Sequence, residues 1–321
     1  MCRFFVFAIC MGCISAAAEM RVENDGQAVH ILEDDAPVLV YHHAMVEPPK
    51  MVPERYTRAC YIHPVYAPGG ATLTQDFPID HFHHRGVFWA WPKSTWDGKP
   101  LDIWLMEDVR QETKEVKTAE AAGGKAVLET INFWRYDDAP DQPIVEERVH
   151  IEAHPAEDNA RAIDFDLTFE NVSDKEVVIR GSTAEDKSGV IKGYGGFCFR
   201  PDATRKPMEF TAKQGPAHED TLSLESPWCD VSFPDEKDGE AKSGAAVFQH
   251  PGNPGYPHEG WILRHYGFLG ASWPHRAPHT MAPGDSFRLR YRLYVHDGDA
   301  AAADVTEAFA DYTAAAKKAM Q

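Results

Sequence analysis

The chain has 321 residues, 43% of them hydrophobic, 26% charged and 11% aromatic, with 23 glycines and 23 prolines. That composition excludes a disordered, collagenous or coiled-coil protein and allows a substantial core. Fifty acids against 32 bases leave a formal charge of −18; this repels phosphate backbones, and with no concentrated basic patch to offset it a nucleic-acid partner is not expected.

Residues 1–18 read as an export signal. Arg3 supplies a short positive region, 4–14 an apolar core, and Ala16-Ala17-Ala18 a small-residue cleavage site ahead of Glu19. Residues 19–321 then read as one domain, delivered to the periplasm or the extracellular space. Met11-Gly12-Cys13 is an imperfect lipoprotein box, so anchoring through Cys13 is the less favoured alternative. No later segment has the roughly 20 apolar residues that a membrane span requires. Beyond the leader only Cys60, Cys198 and Cys229 remain, too few for a disulfide scaffold and without the CxxC of a zinc ribbon. One bridge, or three small buried hydrophobes, both fit.

The densest segment follows, from Tyr56 to Trp104, with Tyr61, His63, Tyr66, Asp76, Asp80, His81, His83, His84, Arg85 and four of the eight tryptophans. Taken as a strand over 80–91, its parity puts His81, His83, Arg85, Trp89 and Trp91 on one face and His84, Gly86 and Phe88 on the other. Two imidazoles on one strand face suit a divalent metal with a carboxylate completing the shell, although the sequence requires no cofactor. The same imidazoles beside Arg85, Asp76 and Asp80 suit acid–base work, because histidine titrates near neutral pH. Trp96 sits in a polar loop, Lys93-Ser94-Thr95-Trp96-Asp97-Gly98-Lys99, as a stacking surface for a sugar ring.

Period-two alternation predicts strands over 126–134, 144–153 and 162–170, separated by turn clusters at 136–143 and 171–175. Glu185 and Asp186 precede a glycine-rich stretch containing Lys192, Gly193, Tyr194, Gly195 and Gly196. Glycines in a strand mark a bulge or a close approach, so this stretch reads as a site lining, and either acid could partner the histidines. Next comes the loop Gln249-His250-Pro251-Gly252-Asn253-Pro254 and a segment with Trp261, Arg264 and Tyr266; Arg264 could clamp a carboxylate or sulfate. The clearest strand is 286–296, where Phe287, Leu289, Tyr291, Leu293 and Val295 alternate with Arg288, Arg290, Arg292 and Tyr294. One helix is predicted over 301–320, capped by Asp299, with the stripe Val305, Phe309, Tyr312 and Ala316. Long alternating strands with a single late helix predict an all-β, two-sheet sandwich.

Together Tyr61-Ile62-His63-Pro64, Asp76-Phe77-Pro78, Asp80-His81-Phe82-His83-His84-Arg85-Gly86, Gln249-His250-Pro251 with Asn253-Pro254, and Tyr266-Gly267 resemble a bacterial family of exported proteins often labelled PmoA, or methane oxygenase. The resemblance covers nearly all of the mature chain. The label implies a subunit of an integral membrane oxygenase, whereas this chain has no spanning segment after its leader. Members of the family tend to occur among sugar-degradation genes. Their pattern looks like the galactose-mutarotase-like supersandwich, whose relatives include aldose epimerases, polysaccharide lyases and glycosidase domains.

The sequence reading is therefore an exported carbohydrate-active enzyme, with glycoside hydrolysis as the leading reaction on an oligosaccharide or glycoside. Its catalytic candidates are His81, His83, His84, Glu185 and Asp186. Its substrate-binding candidates are His63, Arg85, Trp96, Lys192, Tyr194, His250 and Arg264. A non-catalytic carbohydrate-binding protein and a metal-dependent oxidase using His81 and His83 are the alternatives.

Overall fold

The computed structural model describes residues 18–235 and 239–320. Of the export signal expected over 1–18, residues 1–17 lie outside the described residues. Two large antiparallel sheets face each other. The first has eight strands in the order Met20–Asn24, Ala28–Glu33, Ala36–His42, Tyr61–Val65, Val87–Ala90, Gly196–Phe199, Phe268–Ala271 and Trp261–Arg264. The second has nine: Gly215–Ala217, Glu209–Ala212, Trp228–Pro234, Lys242–Gln249, Ser286–Asp297, Ala160–Asn171, Val145–Ala153, Lys125–Tyr136 and Val109–Ala122. A small four-stranded sheet, His279–Met281, Val177–Ile179, Thr95–Trp96 and Lys99–Pro100, is an addition to the two expected.

The alternation in the sequence forms this sandwich directly. Ser286–Asp297 pairs with Ala160–Asn171 so that Phe165 lies opposite Tyr291 and Leu167 opposite Leu289, and successive side chains point to opposite faces. The inward set meets the first sheet through aromatic rings: Trp91 lies 5.2 Å from Phe169, Phe197 4.7 Å from Tyr291 and 5.0 Å from Phe165. Each such ring, fully buried, contributes roughly 1.5–3 kcal/mol. Cys60, Cys198 and Cys229 are free and buried, so they pack as small hydrophobes.

The helix spans Val305–Ala319 on the outer face of the nine-stranded sheet, with the Phe309 and Tyr312 rings 5.4 and 5.9 Å from Phe248. It begins later than the pattern suggested. Asp299 accepts the N–H groups of Ala301 and Ala302 within a preceding turn, and Asp304, at φ 48°, is the residue that opens the helix. Among the described residues no helix is long and apolar enough to cross a membrane.

Candidate functional site

Because Trp89 and Phe197 contact Phe165 inside the sandwich, their strand neighbours Phe88 and Cys198 face the opposite, outer side of the eight-stranded sheet. A loop is pinned over this outer face. Its neck is a short ladder in which Gly86 N donates to Gln75 O, Gln75 N to Arg200 O and Arg200 N to Gly86 O. Gly86 has φ 59°, and a Cβ there would stand 2.1 Å from Ile62 O, so only glycine lets the neck cross this closely.

The predicted strand over 80–91 is correct only for Val87–Ala90. Ahead of it the chain turns twice, with His81 N donating to Pro78 O and His84 N to His81 O, both at 2.9 Å. Parity therefore fails, and the two changes that follow are opposite in sense. His84 comes round to stack on His81, 4.7 Å between ring centres and 4° between planes. Arg85 leaves for the neck, where its fully buried guanidinium pairs with Asp76 and Tyr61 and donates to Tyr56 O at 3.2 Å. With its nitrogens occupied and no exposure it stands as a structural group rather than the substrate clamp expected of it. His63, whose Nδ1 lies 2.9 Å from Thr74 Oγ1, flanks the same neck.

At the tip His81 is sandwiched, with His84 on one face and Tyr266 on the other at 4.9 Å and 12°. His83 meets His84 edge-on at 4.5 Å, and Trp104 stands 5.6 Å from both. Asp80 closes the polar side. Its Oδ1 accepts from Arg200 Nη2 at 2.8 Å, and its Oδ2 lies 3.0 Å from His81 Nδ1. Beyond Tyr266 the site continues to Arg264, whose Nε is 3.3 Å from Asp220, and to His265, whose backbone N–H donates to Asp220 at 2.7 Å. Tyr194 reaches in from the glycine-rich stretch, its ring 6.2 Å from Trp104 and 5.4 Å from Phe268.

Electrostatics sort these groups. Burial, with His81 and the Arg58 and Arg200 guanidinium groups adding to it, pushes His83 down to about 3, and burial, with His83 and Arg200 beside it, holds His84 well below its ordinary value. Both imidazoles are neutral at pH 7. Partial burial acts to raise the Asp80 carboxyl, but Arg200 and His81 outweigh it and hold it below its ordinary value. The same contest at Asp220 is won by the backbone N–H and ring of His265 and by Arg264. Burial, then Tyr194, raises the Tyr266 phenol, which stays protonated. The site thus offers ionised carboxylates, neutral imidazoles and a phenolic donor.

Of the sequence candidates, His81, His83, His84, Tyr194 and Arg264 come together here. Glu185 and Asp186 do not supply the carboxylate partner: Glu185 is exposed, and Asp186 accepts from Ser188 and Val190 in its own turn. That turn also carries Lys192, whose backbone N–H donates to Ala184 O. Trp96 lies in the small sheet, donates to Ser173 Oγ at 2.8 Å and lines a separate groove of about 590 Å³. His250 lines a groove on the nine-stranded sheet beside Arg290 and Tyr312. The carboxylate that does stand at the histidine site is Asp80, the immediate neighbour of His81, which the sequence reading set beside the imidazoles for acid–base work but left out of its catalytic candidates. Arg200 ends the glycine-rich stretch and Tyr266 is two residues from Arg264, so adjacency signalled both. Nothing local marks Asp220.

A divalent ion among these histidines would face Arg200, which stands 3.4 Å from His84 Nδ1 as well as against Asp80. Among the described residues, the three potential ligands whose donor atoms all lie within 4.8 Å of one another are Glu152, His154 and Asp164. There Arg292 takes both oxygens of Asp164 at 2.7 Å, and Lys125 pairs with Glu152.

Three solved structures are similar to the chain at low identity. A heparan sulfate lyase from Pedobacter heparinus has 9% identity over 88% of this chain and 36% of its own, with a TM-score of 0.35. An α-galactosidase from Geobacillus stearothermophilus has 10% identity over 88% and 41%, at 0.34. A protein described as an aldose 1-epimerase from Klebsiella pneumoniae has 10% identity over 92% and 87%, also at 0.34. The chain thus spans little more than a third of the lyase it matches. These scores are too low to argue a function. No curated protein shows a significant match. The methane-oxygenase label finds no counterpart in these comparisons. A family model described as a family of unknown function, DUF6807, matches residues 28–310, and the chain belongs to that family.

Proposed function

We propose that the histidine loop carries out acid–base chemistry on a carbohydrate, with His81 moving the proton and Asp80 orienting it. The observation that carries this reading is the Asp80–His81 pair, 3.0 Å apart and backed by Arg200. An ionised carboxylate 3.0 Å from Nδ1, although out of line for a hydrogen bond, favours the proton on that nitrogen electrostatically and leaves the Nε2 lone pair as the base. His81 Nδ1 is buried while the side chain as a whole is 34% exposed, so the accessible edge is the one bearing Nε2. Tyr266 supplies a hydrogen bond to a substrate oxygen, and Arg264 a second. With both faces of His81 covered and Trp104 buried, a ligand meets the polar edges of the site, Asp80, Arg264 and Asp220, which suit the hydroxyl rim of a sugar. The association with sugar-degradation genes implied by the family resemblance points the same way.

Hydrolysis by two carboxylates needs one of them protonated, and both Asp80 and Asp220 are held below their ordinary values. Proton removal from a sugar, leading to elimination or isomerisation, therefore fits the site better than the hydrolysis first expected. The test is an oligosaccharide panel read by mass spectrometry and NMR, with His81→Gln as the control. Turnover should fall by roughly 10²–10⁴ in the variant with thermal unfolding little changed. Full turnover by His81→Gln, or ligand-induced stabilisation of the wild-type protein with no product on any substrate, would overturn the reading.

A further inference from the structure

The His250-Pro251-Gly252-Asn253-Pro254 loop plays no part in the histidine site, and it is built around one residue, Arg290. On the outer face of the nine-stranded sheet Arg288, Arg290 and Arg292 point outward at every second position. Arg292 holds Asp164 with two hydrogen bonds of 2.7 Å. Asp166 lies directly across the ladder from Arg290, yet it is taken diagonally by Arg288, whose Nε donates to Oδ1 at 2.6 Å and whose Nη2 reaches the other oxygen. Among the described residues the Arg290 guanidinium has no hydrogen-bonding or ion-pair partner, although the residue is half-buried. A partly desolvated, unpaired cation is unfavourable unless something else supplies the anion.

Three features of the loop hold that cation in place. The Asn253 amide clamps the Arg290 backbone from both ends, donating to its carbonyl at 2.7 Å and accepting from its N–H at 2.8 Å. Gly252 makes room for the side chain, since a Cβ there would stand 2.3 Å from Arg290 Nη2. His250 Nδ1 accepts from Gly252 N at 2.9 Å, which leaves the ring proton on Nε2 as a donor. Both side chains line one groove of about 360 Å³, closed on its far side by Tyr312 and small alanines of the helix. The acids that border it, Glu152, Asp164 and Asp166, each have a basic partner of their own.

We propose that Arg290 and His250 form a binding site for an oxyanion, the carboxylate or sulfate group of an acidic ligand, on the outer face of the nine-stranded sheet. A guanidinium fork matches either group with paired, charge-assisted hydrogen bonds. The site is separate from the histidine loop and stands or falls without it.

Calorimetry of the whole protein with sodium glucuronate and with sodium sulfate, each against glucose and chloride at matched ionic strength, tests it and tells the two groups apart. At least one of the two anions should bind saturably, and Arg290→Gln should weaken that binding by at least about tenfold. Gly252→Ala, by displacing the guanidinium, should do the same while leaving Arg290 in the chain. Arg290→Gln should melt no lower than the wild type, because it removes an unpaired charge. No saturable binding of either anion, equal binding by Arg290→Gln, or a Tm lowered in that variant by more than about 5 °C, the mark of a structural arginine, would each overturn the proposal.

Discussion

Arg85→Met should loosen the neck of the histidine loop rather than remove a ligand contact. The Arg85 side chain is 1% exposed and that of its partner Asp76 is 17% exposed. The guanidinium pairs with Asp76 and Tyr61, donates to Tyr56 O, and lies 4.1 and 3.6 Å from the ring centres of Tyr61 and Phe77. Removing one member of a buried pair costs about 3–5 kcal/mol, since the other charge is left without a partner. For a chain of this size 1 kcal/mol moves Tm by about 2 °C, so Arg85→Met should melt roughly 6–10 °C below wild type. Asp76→Leu should cost as much or more, because it strands the more deeply buried charge. The double variant should be less destabilised than the sum of the singles, because neither charge then remains. Thermal melts followed by circular dichroism give all three values. If Arg85→Met melts within about 1 °C of wild type yet loses ligand binding, Arg85 is a free clamp after all and the account of the neck is wrong.

Other outcomes follow from the same geometry. Folded His83 is held down to about 3, so between the ordinary histidine value near 6.5 and about 3 the unfolded chain takes up a proton that the folded chain refuses. The stability tied to neutral His83 is complete above that window and is lost as pH falls through it. His83→Gln should remove up to about 1.4 kcal/mol per pH unit from the acid slope of stability, read from urea denaturation at several pH values; an unchanged slope would show that His83 titrates normally. Gly86→Ala combines a positive φ with a Cβ 2.1 Å from Ile62 O, and should cost more than about 3 kcal/mol along with activity at the histidine site. A Gly86→Ala protein as stable as wild type would mean that the neck crosses differently. Tyr312→Ala empties the helix's contact with Phe248 and should cost about 3–5 kcal/mol, measured by denaturation; a loss under about 1 kcal/mol would show the helix to be loosely docked.

The strands of the nine-stranded sheet were legible because their signal is local. Phe287, Leu289, Tyr291, Leu293 and Val295 occupy alternate positions, and alternate positions face alternate sides whatever the partner strand is. The same rule misled over 80–91, because His81, His83 and Arg85 also alternate while their backbone turns. What bends it is non-local: Arg85 is drawn to Asp76 and Tyr61, and Gly86 must pass under Ile62. The helix stripe was read correctly and its start was not, since Asp299 caps a turn with a side chain that caps a helix equally well.

The sequence by itself determined the sandwich, its single late helix and the concentration of imidazoles and aromatic rings around His81, because each is written in residue types and spacings along one segment. Only the tertiary structure decided which groups act together. Asp80 gains Arg200 from 120 positions away and Asp220 reaches His265 across 45, while Arg85 is drawn off to Asp76 and Tyr61 and Glu185 stays exposed to solvent. A charged side chain goes to whichever opposite charge the folded backbone brings within about 3–4 Å, and that proximity is a property of strand order and loop closure that no spacing along the chain encodes.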